Sequence, residues 1–178
     1  MDGVYPGLHQ VASALDGEDW LLVGGAMTQL HCTLNDVGYG RSTEDVDVVV
    51  DPMNHSTLVG VAEAVSTAHT VRLPNVWAAL AMKGHALRLP DANRERHVQD
   101  ALALLACADR TEAKRELTKS ERAGVNKILS SSYLSAVENW MPLDQTHWGE
   151  ALQEMRRLRP QGVIPVPPLL QTEMPLGR

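Results

Sequence analysis

The segment 40–51 constrains this chain more than any other, because it sets carboxylates within a run of valines. Asp45 and Asp47 flank Val46, and the apolar run Val48–Val50 follows directly. Successive side chains of a strand point to opposite faces, so the two aspartates would share one face and alternate valines the other. Two like charges this close repel each other, and a divalent cation between them relieves that repulsion. The pattern therefore predicts a metal-binding strand.

A second signal lies upstream, where a glycine pair separates an apolar segment from a helical one. Trp20–Val23 has the composition of a buried strand, Gly24 and Gly25 interrupt it, and residues 26–32 have helical character. Glycines in such a turn let backbone amides approach a phosphate, and the helix N-terminus adds partial positive charge. Combined with the Asp-x-Asp strand, this turn predicts a site for phosphate and metal together.

These two elements resemble those of the polymerase beta nucleotidyltransferase superfamily, which pairs a strand-Gly-Gly/Ser-helix element with an Arg-x-Thr-x-Asp-hydrophobic-Asp strand. The likeness is carried here by Val23-Gly24-Gly25 and by residues 41–51. Within the superfamily, residues 80–88 and 96–105 resemble the later lysine and aspartate motifs of the AbiEii and MenT toxin group. The likeness extends over residues 20–105 and leaves the rest of the chain unmatched.

The resemblance implies an α+β fold in which a small mixed β-sheet is flanked by helices. We expect a nucleotidyltransferase core over residues 1–106, a helical C-terminal region over 107–159 and a proline-rich tail over 160–178. Within this frame the hydrophobic spacing predicts helices at the following positions: 8–15, 25–34, 54–68, 74–89, 94–107, 111–129, 133–140 and 147–158. Residues 69–73 are predicted to form a further strand.

The activity that the resemblance implies is a metal-dependent nucleotidyltransferase of the EC 2.7.7 type. Such an enzyme transfers a nucleoside monophosphate from an NTP to an acceptor hydroxyl and releases pyrophosphate. The likeness to the toxin group further implies a tRNA 3′ end as the acceptor. It also implies a cognate antitoxin as the physiological partner, within a toxin–antitoxin system.

The residues that would bind the nucleotide and its Mg²⁺ come from the two matching elements: Gly24, Gly25, Arg41, Thr43, Asp45 and Asp47. The two aspartates are the predicted metal ligands and bridge Mg²⁺ to the phosphates. Arg41 and Thr43 have the same strand parity as the aspartates, so both would face the triphosphate, although Arg41 could equally brace the acidic strand from outside.

Lys83 and Asp100 complete the predicted catalytic set with Asp45 and Asp47. In the resembled toxins a helical lysine contacts the nucleotide phosphates, and Lys83 matches it; the alternative is a lysine that snorkels from a buried helix. Asp100 matches a late aspartate that acts as a base or orients other site residues; the alternative is a surface pair with Arg96 one helical turn away.

A third carboxylate is missing from the place where the superfamily usually carries one. Residues 52–73 contain a single acid, Glu63. Either Asp100 supplies the third carboxylate from a helix, or the site works with two, or the chain is a shortened and inactive relative. The sequence leaves these three possibilities open.

The distribution of charge is uneven along the chain, although the net charge of −6 argues against a protein that coats nucleic acid without specificity. Residues 1–71 contain one Lys or Arg, namely Arg41, whereas residues 83–127 hold ten of the sixteen. This asymmetry is compatible with an acidic metal-binding half and a basic half that holds the phosphates of a nucleotide or an RNA end, or with a solvated helix face.

The cellular setting is predicted to be the cytoplasm. No apolar run approaches the length of a membrane span, and Met1-Asp2-Gly3-Val4 lacks the basic start of a secretory signal. Cys32 and Cys107 are too few and too far apart to indicate a disulfide framework or a zinc site.

Two other functions remain compatible with the same motifs. One is a small-molecule nucleotidyltransferase of the antibiotic-resistance kind, whose cationic drug would suit the acidic N-terminal half. The other is a shortened, inactive relative that acts as a nucleotide-binding or protein-binding module through the region from Thr111 onward. The base preference, the acceptor, the oligomeric state and the purpose of the proline-rich tail are not determined by the sequence.

Overall fold

The structure, a computed structural model, describes residues 6–16, 18–41, 43, 45–50, 64–65, 70–90, 92–110 and 116–168. Within these ranges the chain is a mixed α and β protein that is mostly helical. Its helices are α1 (Pro6–Ala14), α2 (Gly24–Leu34), α3 (Val76–Ala86), α4 (Arg94–Arg110), α5 (Lys119–Leu129) and α6 (Gln145–Leu158). Its strands are β1 (Trp20–Leu22), β2 (Val48–Val50), β3 (Ala64–Val65) and β4 (Thr70–Val71).

The strands form antiparallel pairs where a mixed sheet was expected. β1 pairs with β2, so that Leu21 lies opposite Val49, and β3 pairs with β4. β1 is also hydrogen-bonded to the residue that follows β4: the Leu22 N–H donates to the Arg72 carbonyl over 3.0 Å. All strand pairings within the described residues are antiparallel.

The strand predicted for the Asp-x-Asp segment is shorter than expected. β2 begins at Val48, so Asp45 and Asp47 lie in the segment that leads into the strand rather than in the strand itself. Val46 and Val48 pack against the core, whereas Val50 at the end of β2 is half exposed. β1, by contrast, is buried along its whole length.

Helix α4 forms the centre of the hydrophobic core. Its residues Ala101–Ala108 are at most 1% exposed, a pattern typical of a helix surrounded by others. α2, α3 and α6 pack around it. The same hydrophobic cluster extends from Ala12 in α1 to Met155 in α6. The C-terminal helices are therefore packed into the core that supports the two sequence motifs.

Helices α3 and α5 cross with their backbones in contact. A Cβ added at Gly84 would lie 1.9 Å from the Gly124 carbonyl oxygen, and one added at Gly124 would lie 2.5 Å from the Ala81 carbonyl oxygen. Only residues without a side chain allow this approach. His85 at the end of α3 contacts the Ser120 carbonyl at the start of α5 over 3.2 Å, so the two helices run antiparallel.

Several predicted helix boundaries are wrong. In the range 54–68, Ala64–Val65 is a strand, and the remainder lies outside the described residues. Thr111, where the next helix was predicted to begin, also lies outside the described residues. The observed helix begins at Lys119, because Thr118 and Glu121 form a capping box there. The helix predicted at 133–140 is instead two 3-10 segments, Ser132–Ser135 and Val137–Asn139. The strand predicted at 69–73 is observed as β4.

The helices of the described ranges include none that is both long and apolar enough to cross a lipid bilayer.

Candidate functional site

The turn between β1 and α2 lies directly against Asp47. Gly24 has a φ of +70°, in the left-handed region that favours glycine. A Cβ added there would lie 2.0 Å from Oδ2 of Asp47. The Val23 N–H donates to the Asp47 carbonyl over 2.9 Å, which continues the β1–β2 pairing to this point. The glycine turn and the Asp-x-Asp segment are thus in contact, as their sequence pattern predicted.

The second glycine lies beneath Thr43 and Arg41. A Cβ added at Gly25 would lie 2.9 Å from Oγ1 of Thr43 and 3.4 Å from a terminal guanidinium nitrogen of Arg41. Both side chains therefore stand beside the N-terminus of α2, where unpaired backbone N–H groups and the helix dipole favour an anion. On α2 itself, Gln29 donates to the Arg41 carbonyl and ties this segment to the helix.

Lys83 reaches the same turn from α3. Its ammonium group donates to the Gly24 carbonyl over 2.7 Å and to Oδ2 of Asp100 over 2.6 Å. The Lys83 side chain is 6% exposed, so its ammonium group does not reach solvent. This finding argues against the alternative of a lysine that snorkels from a buried helix. Three elements distant in sequence, the glycine turn, α3 and α4, therefore meet at one ammonium group.

Asp100 is the hub of the buried charges. Its Oδ2 accepts from Lys83, and its Oδ1 accepts from the Arg41 guanidinium and, over 2.7 Å, from the Tyr39 hydroxyl. The alternative of a surface pair with Arg96 does not fit, because Asp100 is buried and Arg96 is exposed. Both carboxylate oxygens are occupied by protein donors. This arrangement favours the orienting role for Asp100 over that of a metal ligand.

The charges around Asp100 change the titration of its neighbours. Burial and the negative charge of Asp100 raise the pKa of Tyr39, so the hydroxyl stays protonated and donates. For Arg41, burial acts to lower the pKa, but the charge of Asp100 and the hydrogen bond to it outweigh burial and raise it. His97, one turn before Asp100, has its pKa lowered by burial and by the positive charge of Lys83.

The cluster carries more positive charge than negative. Arg41 and Lys83 supply two cations against the single carboxylate of Asp100. Nε of Arg41 and Nδ1 of His97 are buried and have no hydrogen-bond partner among the described residues. Buried polar atoms usually have partners. A net positive cluster with an unpaired buried guanidinium N–H suits an anionic ligand.

Asp45 and Asp47 are both exposed, and Asp47 lies against the Gly24 turn. Within the part of the chain that the structure describes, no three His, Cys, Asp or Glu residues lie close enough to form a metal cage. Mg²⁺ does not require one, since it is commonly held by one or two carboxylates together with substrate phosphates and water. Carboxylates such as those of Asp45 and Asp47 therefore have the chemistry to hold a Mg²⁺ that arrives with a nucleotide.

Sequence reasoning missed Tyr39 and His147, which hold the segment that leads to Arg41. Tyr39 stands between Gly38 and Gly40 in a segment that the sequence indicated only as a turn. His147 was assigned to a distant helix and to no site. The isolated tyrosine between two glycines was the available signal, because a large side chain there usually has a tertiary partner. Nothing in the local sequence indicated that partner.

No protein-family model, characterised protein or solved structure matches this chain.

Proposed function

We propose that this chain is a nucleotidyltransferase that transfers a nucleoside monophosphate from an NTP to an acceptor hydroxyl. The observation that carries the proposal is the convergence of the predicted residues on the Gly24–Gly25 turn. Asp47, Thr43 and Arg41 lie against this turn, and Lys83 donates to its carbonyl group. These residues belong to three separate segments of sequence, and a purely structural role gives no reason for two cations, the exposed Asp47 and a helix N-terminus to meet.

In this proposal the α2 N-terminus, Thr43 and Arg41 bind the phosphates that leave. The amides of the first turn and the Arg41 guanidinium are donors of the kind that phosphate oxygens accept. Gly25 is suited to this role because it leaves room beside the helix N-terminus for Thr43 and Arg41, the side chains that would contact the phosphates. Lys83 adds positive charge behind the turn, where developing negative charge on the phosphates is stabilised.

The reaction is an in-line displacement at the α-phosphorus. The acceptor oxygen forms a bond to phosphorus, the bond from phosphorus to the α–β bridging oxygen breaks, and pyrophosphate leaves with those electrons. The hydroxyl proton passes to solvent. Asp45 and Asp47 would hold the Mg²⁺, which supplies neutralisation of the phosphate charge. What the chain contributes is alignment and fixed positive charge, the main components of catalysis in phosphoryl transfer.

Asp100 serves this reaction as a positioning residue. Its carboxylate is saturated by Lys83, Arg41 and Tyr39, so it holds the two cations in place and limits their mutual repulsion. A third metal-binding carboxylate is not needed in this scheme. The resemblance to the AbiEii and MenT group supports a tRNA 3′ end as the acceptor and a cognate antitoxin as the partner.

The test is transfer of label from each α-labelled NTP, with Mg²⁺, to total tRNA. The Asp45→Asn, Asp47→Asn double variant is run beside the parent, and Glu138→Gln serves as a control because it neutralises one exposed acid elsewhere. Label on tRNA with the parent and the control, and none with the double variant, supports the proposal. Equal labelling by the double variant contradicts it, since the reaction would then not use these carboxylates.

A second candidate is a nucleotide-binding module without transfer activity. The observation that favours it is the small donor set, since within the described ranges Asp45 and Asp47 belong to no group of three acids, histidines or cysteines that could hold a metal ion. Isothermal titration with Mg·NTP and a pyrophosphate-release assay separate the two functions. Binding without pyrophosphate release, with tRNA or with a panel of aminoglycosides and lincosamides as acceptors, supports the module. Release with a drug supports the antibiotic-modifying alternative.

A further inference from the structure

We propose that the segment Trp140–His147, here called the clamp segment, positions Arg41 for phosphate binding, with His147 as the side chain that holds it. The inference rests on the proposed function in one respect, namely that Arg41 binds phosphate. It extends that function by making part of the C-terminal helical region a component of the site. The sequence placed this segment well outside the matched motifs.

The clamp segment holds the backbone on both sides of Tyr39. Tyr39 and Leu143 form an antiparallel bridge. The Asp144 N–H donates to the Gly38 carbonyl over 2.7 Å, and the Gly40 N–H donates to the Pro142 carbonyl over 2.5 Å. These bonds fix the residues that immediately precede Arg41, so the direction in which the arginine leaves the backbone is set from the C-terminal region.

His147 adds a side-chain hydrogen bond to this contact. Its Nδ1 lies 3.2 Å from the Gly38 nitrogen, whose N–H donates to it. The imidazole must therefore carry its hydrogen on Nε2 and accept at Nδ1. His147 is 7% exposed, so water does not readily replace it as the acceptor for the Gly38 N–H.

The clamp segment is itself rigid. The Trp148 indole N–H is shared between the Trp140 carbonyl, at 3.1 Å, and the Leu143 carbonyl, at 3.0 Å, and so closes the turn. Asp144 caps α6 by accepting from the Thr146 N–H over 2.7 Å. Gly38 fits closely against this cap, because a Cβ added to it would lie 2.6 Å from the Asp144 Cβ.

The contact continues from the clamp segment to the glycine turn. The held segment carries Tyr39 and Arg41, both of which donate to Oδ1 of Asp100. Asp100 in turn accepts from Lys83, which donates to the Gly24 carbonyl. A substitution of His147 that releases this segment would therefore disturb Arg41 and Lys83, the two cations of the candidate phosphate site. It would do so although neither of these residues is itself substituted.

The experiment compares His147→Leu, which removes the acceptor, with His147→Asn, whose side-chain oxygen replaces Nδ1. The readout is the rate at which phenylglyoxal modifies Arg41, measured by peptide mass spectrometry with exposed Arg156 as the internal reference. We expect His147→Leu to raise the Arg41 rate by about threefold or more, since a released segment exposes the guanidinium. His147→Asn should match the parent. Equal rates in all three proteins overturn the inference.

A second measurement does not depend on the folding of a variant. Amide hydrogen exchange in the parent protein should protect Gly38 and Gly40 to the same degree as the first bonded amides of α6, because the clamp holds them as one unit. Exchange of Gly38 and Gly40 at the rate of an open loop overturns the inference even if His147→Leu fails to fold.

Mg·ATP provides the arm that separates this inference from the proposed function. If phenylglyoxal modifies Arg41 of the parent more slowly when Mg·ATP is present, phosphate binding by Arg41 is supported. If Mg·ATP does not protect Arg41, its proposed role in phosphate binding is overturned, but the comparison of the His147 variants still tests the clamp segment.

In the transfer assay we expect His147→Leu to raise KM for NTP by about tenfold and to change kcat less, because a misdirected arginine weakens phosphate binding first. His147→Asn should restore the parent KM.

Discussion

The ammonium group of Lys83 lies 2.6 Å from Oδ2 of Asp100, and both side chains are almost completely buried. The pair joins α3 to α4 and stands directly behind the glycine turn. Arg41 contacts the other oxygen of the same carboxylate. A single buried anion therefore compensates two cations, and its removal should be more damaging than the removal of either partner.

Asp100→Asn is expected to lower the free energy of unfolding by about 3–5 kcal/mol, because it leaves two buried cations without a counter-charge. Lys83→Met should cost less, about 1–3 kcal/mol, because Asp100 loses the donor to Oδ2 but keeps Arg41 as its counter-charge and both donors to Oδ1. Urea denaturation of the two variants and the parent measures the difference. Equal losses in the two variants would show that Asp100 is not the hub of this cluster.

Gly24→Ala tests the tight contact between the turn and Asp47. The left-handed φ of +70° alone costs alanine about 1–2 kcal/mol. The added Cβ would also overlap Oδ2 of Asp47, so the loss of stability should exceed that figure. Chemical denaturation measures it, and Gly40→Ala is the matched control, because the nearest atom to its Cβ is 3.5 Å away.

The origin of that loss can be separated by a second substitution. In an Asp47→Gly background the overlap is absent, so Gly24→Ala should then cost only the backbone term of about 1–2 kcal/mol. A loss that is the same in both backgrounds would contradict the contact between Gly24 and Asp47.

Gly124→Ala tests the crossing of α3 and α5. Its Cβ would lie 2.5 Å from the Ala81 carbonyl oxygen, so the helices must move apart. We expect a loss of about 1–3 kcal/mol or more in a thermal or urea melt, as for other overpacked sites. The exposed Asn126→Ala on the same helix should change stability by less than about 0.5 kcal/mol. A tolerated Gly124→Ala would contradict the close backbone contact.

His31 gives the fold a dependence on acid pH. Burial lowers the pKa of His31, although its hydrogen bond to the Pro74 carbonyl acts in the opposite direction. The unfolded chain, with a histidine pKa of about 6.5, then binds more protons than the folded chain at lower pH. The free energy of unfolding should therefore fall as the pH drops below about 6.5.

The contribution of His31 is isolated by His31→Gln, which keeps a side-chain N–H donor for the Pro74 carbonyl and does not titrate. Urea denaturation from pH 7.5 to pH 4.5 should show a shallower pH dependence in this variant than in the parent. His97, whose pKa is also lowered, supplies part of the remaining slope. Identical slopes in parent and variant would contradict the assignment to His31.

The sequence predicted which chemical groups would lie together better than it predicted the helices and strands that carry them. Gly24, Gly25, Asp47 and Lys83 were selected from motif and spacing, and the structure brings them together around one turn. Helices with strong apolar periodicity, such as α4, were located to within a few residues. Their periodicity is a local property, and burial of the apolar residues in the core follows from it.

Predictions failed where contacts distant in sequence outweigh local preference. The strand expected to carry Asp45 and Asp47 begins only at Val48, since pairing with β1 and not the alternating pattern sets the length of the strand. The helix expected from Thr111 begins at the Thr118 capping box, because satisfied N-terminal amides fix the start more strongly than composition does.

By itself the sequence determined that a glycine turn, an acidic extended segment and two helices bearing Lys83 and Asp100 would be present, because turn geometry, strand parity and helical spacing are local consequences of residue type. Only the tertiary structure decided that Asp100 accepts from Lys83, Arg41 and Tyr39 together, and that His147 holds the segment leading to Arg41. Those relationships join residues far apart in the chain. They exist because packing around α4 brings the elements to one place and leaves the buried polar groups no partners except one another.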